Sequence, residues 1–183
     1  GIVGVYSGQY NSTVKNANIT VGSEGISLYN SNHSIILNNS LKGVPAIYIK
    51  SSSNVLIELN NILSSYPGIT FYLANNNTII SNNLFNITNH GLDIAISSNN
   101  IIKFNIINMS ATAASNHGIY VESSSNENLI ADNNVSSYDN YGISVEQGLN
   151  NQVFNNTFSS SDDAAGLNIG LSNNTQAIQN SFS

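Results

Sequence analysis

The chain has 183 residues, of which 40% are hydrophobic and 8% are charged, and its net charge is −6. Four Lys and no Arg exclude the basic surface that binding to nucleic acid or anionic lipid requires. The absence of Cys excludes disulfides and thiolate metal sites. No apolar run approaches the roughly 20 residues of a membrane span.

The first repeated feature along the chain is a small residue followed by an apolar one. Successive copies are 21 to 27 residues apart, and most have a second apolar residue two positions later. Because side chains alternate across a strand, each copy predicts a strand with its apolar residues facing inward, and the Gly is expected at a corner. The copies are Gly1-Ile2, Gly25-Ile26, Ala46-Ile47, Gly68-Ile69, Gly91-Leu92, Gly118-Ile119, Gly142-Ile143 and Gly166-Leu167.

A second repeated feature follows each of these strands after about ten residues. An apolar residue, an Asn three positions on and another apolar residue recur in seven consecutive repeats, whereas the first repeat has Ala17 in place of the Asn. Stacked Asn side chains can hydrogen-bond to one another in a ladder, and Asn tolerates the left-handed backbone of sharp corners. The predicted ladder is Asn39, Asn60, Asn82, Asn105, Asn133, Asn156 and Asn180.

A period near 23 residues is too short for a helix plus strands and suits three short strands joined by tight turns. The sequence therefore predicts an all-β, right-handed, three-sided parallel β-helix of about seven coils, roughly 35 Å long at about 4.8 Å per coil. Residues 1–183 are expected to form a single domain, either part of a longer chain or a filament subunit. Leucine-rich repeats have a similar period, but their Leu spacing is absent.

These two repeated features resemble the right-handed parallel β-helix repeat family over almost the whole chain. That family includes pectin-lyase-like polysaccharide lyases and hydrolases, NosD-type periplasmic proteins, and archaeal and bacterial surface proteins. The resemblance implies the fold, but the repeated residues are structural and the fold carries many functions. Candidate functional residues must therefore come from the outward positions.

Two outward columns, one and three residues after each inward apolar residue, place most of the chemically active side chains on one face. Asp93, Glu122 and Glu146 are the candidate catalytic residues, because carboxylates about 5 Å apart suit glycoside hydrolysis and raise one another's pKa. The alternative is a set of solvated surface acids. A lyase is disfavoured, since Lys50 is the one cation on this face and a negative chain repels an acidic polymer.

The same columns contain the candidate ligand-binding residues Tyr48, Tyr72 and Tyr120, whose rings could stack on sugars. Tyr is also an ordinary strand former, which is the alternative explanation. His90 and His117 precede equivalent Gly residues and should stack, with Tyr141 next. They are the candidate metal ligands, although two neutral imidazoles at a turn are the favoured explanation and no metal site is predicted. No cofactor is predicted.

Asn-x-Ser/Thr motifs are candidate N-glycosylation sites if the chain is exported. They occur at Asn11, Asn18, Asn32, Asn38, Asn76, Asn86, Asn108, Asn134, Asn155 and Asn173.

Two function classes remain open, and the regular repeats, depleted charge and Asn/Ser-rich surface favour the first over an enzyme. The first is an exported structural or interaction protein, such as a surface-layer, adhesin or extracellular filament component, located outside the cell or on its surface and self-associating through open solenoid ends. The second is a carbohydrate-active enzyme, a glycoside hydrolase rather than a lyase, or a carbohydrate-binding module that contacts surface glycans through the Tyr, Asp and Glu face.

Overall fold

The computed structural model describes residues 5–7 (backbone), 10–110, 116–160 and 164–182. Within these residues every regular element is a strand, and no helix could cross a membrane. The 24 strands form three parallel sheets of eight strands each, and the chain passes from sheet A to sheet B to sheet C in every coil. This three-sided parallel β-solenoid confirms the predicted fold and its length of about seven coils.

Sheet A contains β1 (Val5–Ser7), β4 (Ile26–Tyr29), β7 (Ile47–Lys50), β10 (Ile69–Tyr72), β13 (His90–Ala95), β16 (His117–Glu122), β19 (Tyr141–Glu146) and β22 (Ala165–Gly170). Sheet B contains β2 (Thr13–Lys15), β5 (Ile35–Leu37), β8 (Leu56–Glu58), β11 (Thr78–Ile80), β14 (Ile101–Lys103), β17 (Leu129–Ala131), β20 (Gln152–Phe154) and β23 (Gln176–Ile178). Sheet C contains β3 (Asn18–Thr20), β6 (Ser40–Lys42), β9 (Asn61–Leu63), β12 (Asn83–Ile87), β15 (Ile106–Met109), β18 (Asn134–Ser136), β21 (Thr157–Ser159) and β24 (Ser181–Phe182).

The inward column of sheet A follows the predicted register from Ile26 to Leu167. Its members are fully buried as far as Ile143, whereas Leu167 is half-buried and Ile169 is 38% exposed. These two residues lie in the last described coil, which no further described strand covers. The core is therefore a continuous apolar column, as the repeat predicts.

The predicted start of the first coil is wrong. Val5 pairs with Ile26 and Tyr6 pairs with Ser27, so Val5 and Tyr6 hold the positions assigned to Ile2 and Val3. The pair Gly1-Ile2 itself lies outside the described residues. The step from the first coil to the second is therefore 21 residues long.

The repeated Gly residues are not left-handed corners, because no described Gly has a positive φ. Gly91, Gly118 and Gly142 instead lie within strands of sheet A. A Cβ on any of them would collide with the carbonyl oxygen of the equivalent Gly in the next coil and with a side chain of sheet C. Glycine is thus required by the close approach of the two sheets, and the left-handed corner positions are occupied by other residues, including Leu59 and Phe104.

The predicted Asn ladder is present between sheets B and C. Each Asn from Asn39 to Asn156 donates its side-chain amide to the side-chain oxygen of the next, at 2.9–3.1 Å. Ala17 joins it through its backbone N–H, which donates to Asn39. A second buried ladder, which the repeat analysis did not identify, joins Asn77, Asn100, Asn128 and Asn151 before sheet B. The two ladders satisfy buried polar groups at two of the corners.

Candidate functional site

The outward face of sheet A brings the candidate carboxylates and tyrosines together. One column runs from Ser27 to Asn168 and includes Tyr48, Asp93 and Tyr120. The neighbouring column contains Tyr29, Lys50, Tyr72, Ala95 and Glu122 in paired positions, with Glu146 at the equivalent place in the next strand. The predicted arrangement of these residues on one face is therefore present, while their functional roles are a separate question.

Asp93, Tyr120, Glu122 and Glu146, here called the acidic cluster, lie on the adjacent strands β13, β16 and β19. Glu146 accepts hydrogen bonds from the Tyr120 hydroxyl at 3.3 Å and from the Ser144 hydroxyl at 3.2 Å. A third donor is the Asn168 side-chain amide at 3.3 Å. Three donors hold the Glu146 carboxylate in one orientation, and sequence reasoning gave Ser144 and Asn168 no such role.

Asp93 is a carboxyl group of the cluster whose pKa is raised. Burial, and to a smaller extent the nearby charge of Glu122, raises the pKa of its carboxyl to about 6. Its Oδ1 atom is buried without a hydrogen-bond partner among the described residues. Burial, followed by the charges of Glu122 and Glu146, also raises the pKa of the Tyr120 hydroxyl. A carboxyl group that titrates close to neutral pH is suited to general acid–base chemistry.

His90, His117 and Tyr141 form an aromatic stack beside the acidic cluster, as their register predicts. The rings of His90 and His117 are parallel within 6°, with centroids 5.1 Å apart, and Tyr141 stacks on His117 at 5.5 Å. The Tyr120 ring contacts both imidazoles, at 5.1 and 4.7 Å. The stack and the cluster are therefore one continuous surface joined through Tyr120.

Both imidazoles are held in the neutral form at neutral pH. Burial, and to a smaller extent the neighbouring His117, lowers the pKa of His90 to about 4. Burial also lowers the pKa of His117, although the Glu146 carboxylate opposes this change. The Nδ1 atoms of both rings are buried without a hydrogen-bond partner among the described residues.

The remaining candidate tyrosines lie two or more coils away from Tyr120, toward the N-terminal end of sheet A. The rings of Tyr29 and Tyr48 meet edge to face at 5.6 Å, and the Lys50 ammonium lies 5.4 Å from the Tyr72 ring. Glu24 accepts hydrogen bonds from the hydroxyls of Ser27 and Tyr29. Glu24 was not identified from the sequence because it precedes the strand and so falls outside both columns.

None of the candidate glycosylation asparagines is buried. Eight of the ten are exposed, and the half-buried pair is Asn32 and Asn108. The Asn108 side-chain amide donates to the Ser136 hydroxyl at 3.0 Å, and the Asn32 side-chain oxygen accepts from the Ser53 backbone at 2.7 Å. These two side chains are therefore the least available for modification.

Comparison with protein families gives a match over residues 2–183 to the family described as "Periplasmic copper-binding protein (NosD)". No curated protein matches the chain.

Solved structures with the same fold include DFA-IIIase from Arthrobacter chlorophenolicus A6 in complex with GF2, with a TM-score of 0.79 and 14% identity over 94% of this chain and 47% of that one. The periplasmic alginate epimerase AlgG has a TM-score of 0.65 and 18% identity, covering 87% of this chain and 47% of that one. The Dettilon tailspike protein has a TM-score of 0.71 and 16% identity, covering 89% and 40%. The chain thus spans less than half the length of each of these three structures.

The residues present do not fit a copper centre. Copper is bound by imidazole, thiolate and thioether groups, and this chain has three His, one Met and no Cys. Met109 is 2% exposed in the core, and His33 lies in a different register from the stack. The nitrogen lone pairs of an imidazole lie in the ring plane, so the parallel rings of His90 and His117, with centroids 5.1 Å apart, are poorly oriented to share one ion. The described residues contain no group of three or more His, Asp or Glu side chains that could hold a metal.

Proposed function

The chain belongs to the NosD family, and we propose that it is an exported protein whose outward face on sheet A binds carbohydrate. The observation that carries this proposal is the meeting of three carboxylates with a continuous set of aromatic rings on one face of the solenoid. Tyr rings provide flat apolar surfaces for sugar rings, and carboxylates accept hydrogen bonds from sugar hydroxyls. The periplasmic description of the family, and of the alginate epimerase, supports export.

The acidic cluster also contains groups suited to cleaving a glycosidic bond. Glycoside hydrolysis uses one carboxyl group that gives a proton and a second that acts as base or nucleophile, and different surroundings separate the two roles. Asp93, with a pKa of about 6, is the proton donor in this proposal. Glu122 and Glu146 are the candidates for the second role, and Tyr120 positions Glu146 through its hydroxyl.

Binding and cleavage are tested together with a panel of oligosaccharides, by measuring affinity and the release of reducing ends. We expect binding to weaken at least tenfold when Tyr120 and Tyr141 are replaced by Ala, because the sugar rings lose the two aromatic rings on which they stack. Asp93→Asn should abolish cleavage while binding persists. Glu58→Gln removes one charge on sheet B and is the matched control. Failure of every glycan to bind would refute the proposal.

A structural role is the second candidate, and the two regular Asn ladders favour it. A ladder-reinforced solenoid suits a surface-layer, adhesin or extracellular filament component, with self-association through the solenoid ends. The last described coil exposes Leu171 at 86% and Phe182 at 61%, which is apolar surface that a further coil or a second copy would cover. Sedimentation of the natively produced protein tests this role, since a monomer at high concentration would contradict it.

Glycosylation of the exposed sequons is a further part of this proposal. If the producing cell glycosylates exported proteins, the exposed Asn18 and Asn134 should carry glycans more often than the half-buried Asn108. Mass spectrometry of natively produced protein tests this prediction, and unmodified Asn at every sequon would contradict it.

A further inference from the structure

The charge on the outward face of sheet A is strongly one-sided. Four carboxylates lie on or beside it, those of Glu24, Asp93, Glu122 and Glu146, whereas Lys50 is the cation in its columns. The Lys50 ammonium already lies over the Tyr72 ring. It is also two strands before Asp93, roughly 10 Å away at about 4.8 Å per strand.

The carboxylates of the acidic cluster have no cationic partner in the described part of the chain. The ion pair that the structure contains joins Lys103 to Asp132 at 3.5 Å, on and next to sheet B. Asp93 and Glu122 lie on the adjacent strands β13 and β16 of one face, so their negative charges repel each other, and this repulsion adds to burial in raising the pKa of Asp93. Such like-charge repulsion is relieved when a cation binds between the carboxylates.

A second observation at the same place is independent of the carboxylates. His117 is 7% exposed, and its Nδ1 has no hydrogen-bond partner among the described residues. An unpaired buried polar atom is costly, and a neutral imidazole nitrogen can accept a hydrogen bond from an ammonium or hydroxyl group. The rings of Tyr120 and Tyr141 pack on the His117 ring. The face of a tyrosine ring attracts an organic cation that lies close to it.

We infer that the carbohydrate bound on sheet A carries protonated amino groups, so that its substrate class is amino-sugar oligosaccharides rather than neutral or uronate glycans. This inference rests on the proposed function. The ammonium groups lie among Asp93, Glu122 and Glu146, while the sugar rings pack on Tyr120 and Tyr141. A uronate chain would place its own carboxylates against the cluster and be repelled.

The test compares three oligosaccharides of equal length: glucosamine, N-acetylglucosamine and a uronate. Binding is measured by calorimetry at about pH 6.5, where a large share of the amines is protonated. We expect the glucosamine chain to bind about tenfold more tightly than its acetylated form, with the uronate weakest. Glu122→Gln combined with Glu146→Gln should remove most of this preference. Glu58→Gln combined with Glu127→Gln removes the same charge elsewhere and should preserve it.

The outcomes separate the inference from the function on which it rests. Equal affinity for the amine and acetylated chains, tighter binding of the uronate, or a preference that survives the Glu122 and Glu146 substitutions would overturn the inference while leaving carbohydrate binding intact. Absence of binding to all three chains and to the wider panel would overturn both.

Discussion

Replacement of Asp93 by Asn should stabilise the protein above pH 6, although the residue belongs to the candidate site. The pKa of Asp93 is raised from its ordinary 3.8 to about 6, so the folded state holds this proton more tightly than the unfolded state. The associated stability is present below about pH 4 and is lost as the pH rises through 6. At roughly 1.36 kcal/mol per pKa unit, the loss of stability has an upper limit of about 3 kcal/mol. Partial exposure of Asp93 to solvent lowers this figure, so we expect a loss of about 1–3 kcal/mol.

Urea unfolding of the wild type and of Asp93→Asn, at about pH 3.5 and about pH 8, measures this difference directly. Asn is nearly isosteric and neutral, so the two free energies of unfolding should agree at the lower pH and diverge by about 1–3 kcal/mol at the higher one. Glu58→Gln controls for the loss of one negative charge elsewhere. Destabilisation of Asp93→Asn at about pH 8, or the same difference at both pH values, would refute the reasoning.

Three further predictions concern the stack, the ladder and copper. Because the pKa of His90 is lowered to about 4 and that of His117 is also lowered, stability should fall as the pH drops from about 6.5 to 4. Replacing both residues by Phe should remove this loss of stability, as measured by unfolding at several pH values. Asn105→Ala should cost about 3–5 kcal/mol in urea unfolding, because it leaves the buried Asn82 backbone N–H without an acceptor and removes the amide that donates to the Ile79 carbonyl and to Asn133. The exposed Asn134→Ala should cost little. Titration with Cu²⁺ should reveal no tight stoichiometric site. Tight binding of one equivalent of Cu²⁺ that disappears when His90 and His117 are replaced by Ala would contradict this prediction.

The repeat was recoverable from the sequence because one physical requirement recurs in every coil. The Asn ladder needs the same side chain at the same corner, so the spacing from Asn39 to Asn180 shows it directly. The second ladder was missed because Val55 interrupts its column and the chain is rich in Asn at other positions. The first coil was misplaced because Gly1-Ile2 and Gly4-Val5 both match the pattern, and their spacings of 24 and 21 residues both fall within its range.

The composition of the site was also predictable, but its energetics were not. Strand alternation and a constant register are sufficient to place Asp93, Glu122 and Glu146 on one face. Which carboxyl has the raised pKa depends on burial and on the positions of neighbouring charges, and these follow from side-chain packing. The repeat likewise predicts that His90 and His117 stack, whereas the parallel ring planes that disfavour a shared metal ion are a matter of rotamers.

Amide chemical-shift mapping locates the carbohydrate-binding surface, which we propose is the outward face of sheet A. The labelled protein is titrated with the tightest-binding oligosaccharide of the panel. Perturbed amides should concentrate on β10, β13, β16 and β19, with Tyr120 and Glu146 among the largest changes. Perturbations confined to sheet B or sheet C, at saturating ligand, would contradict the account.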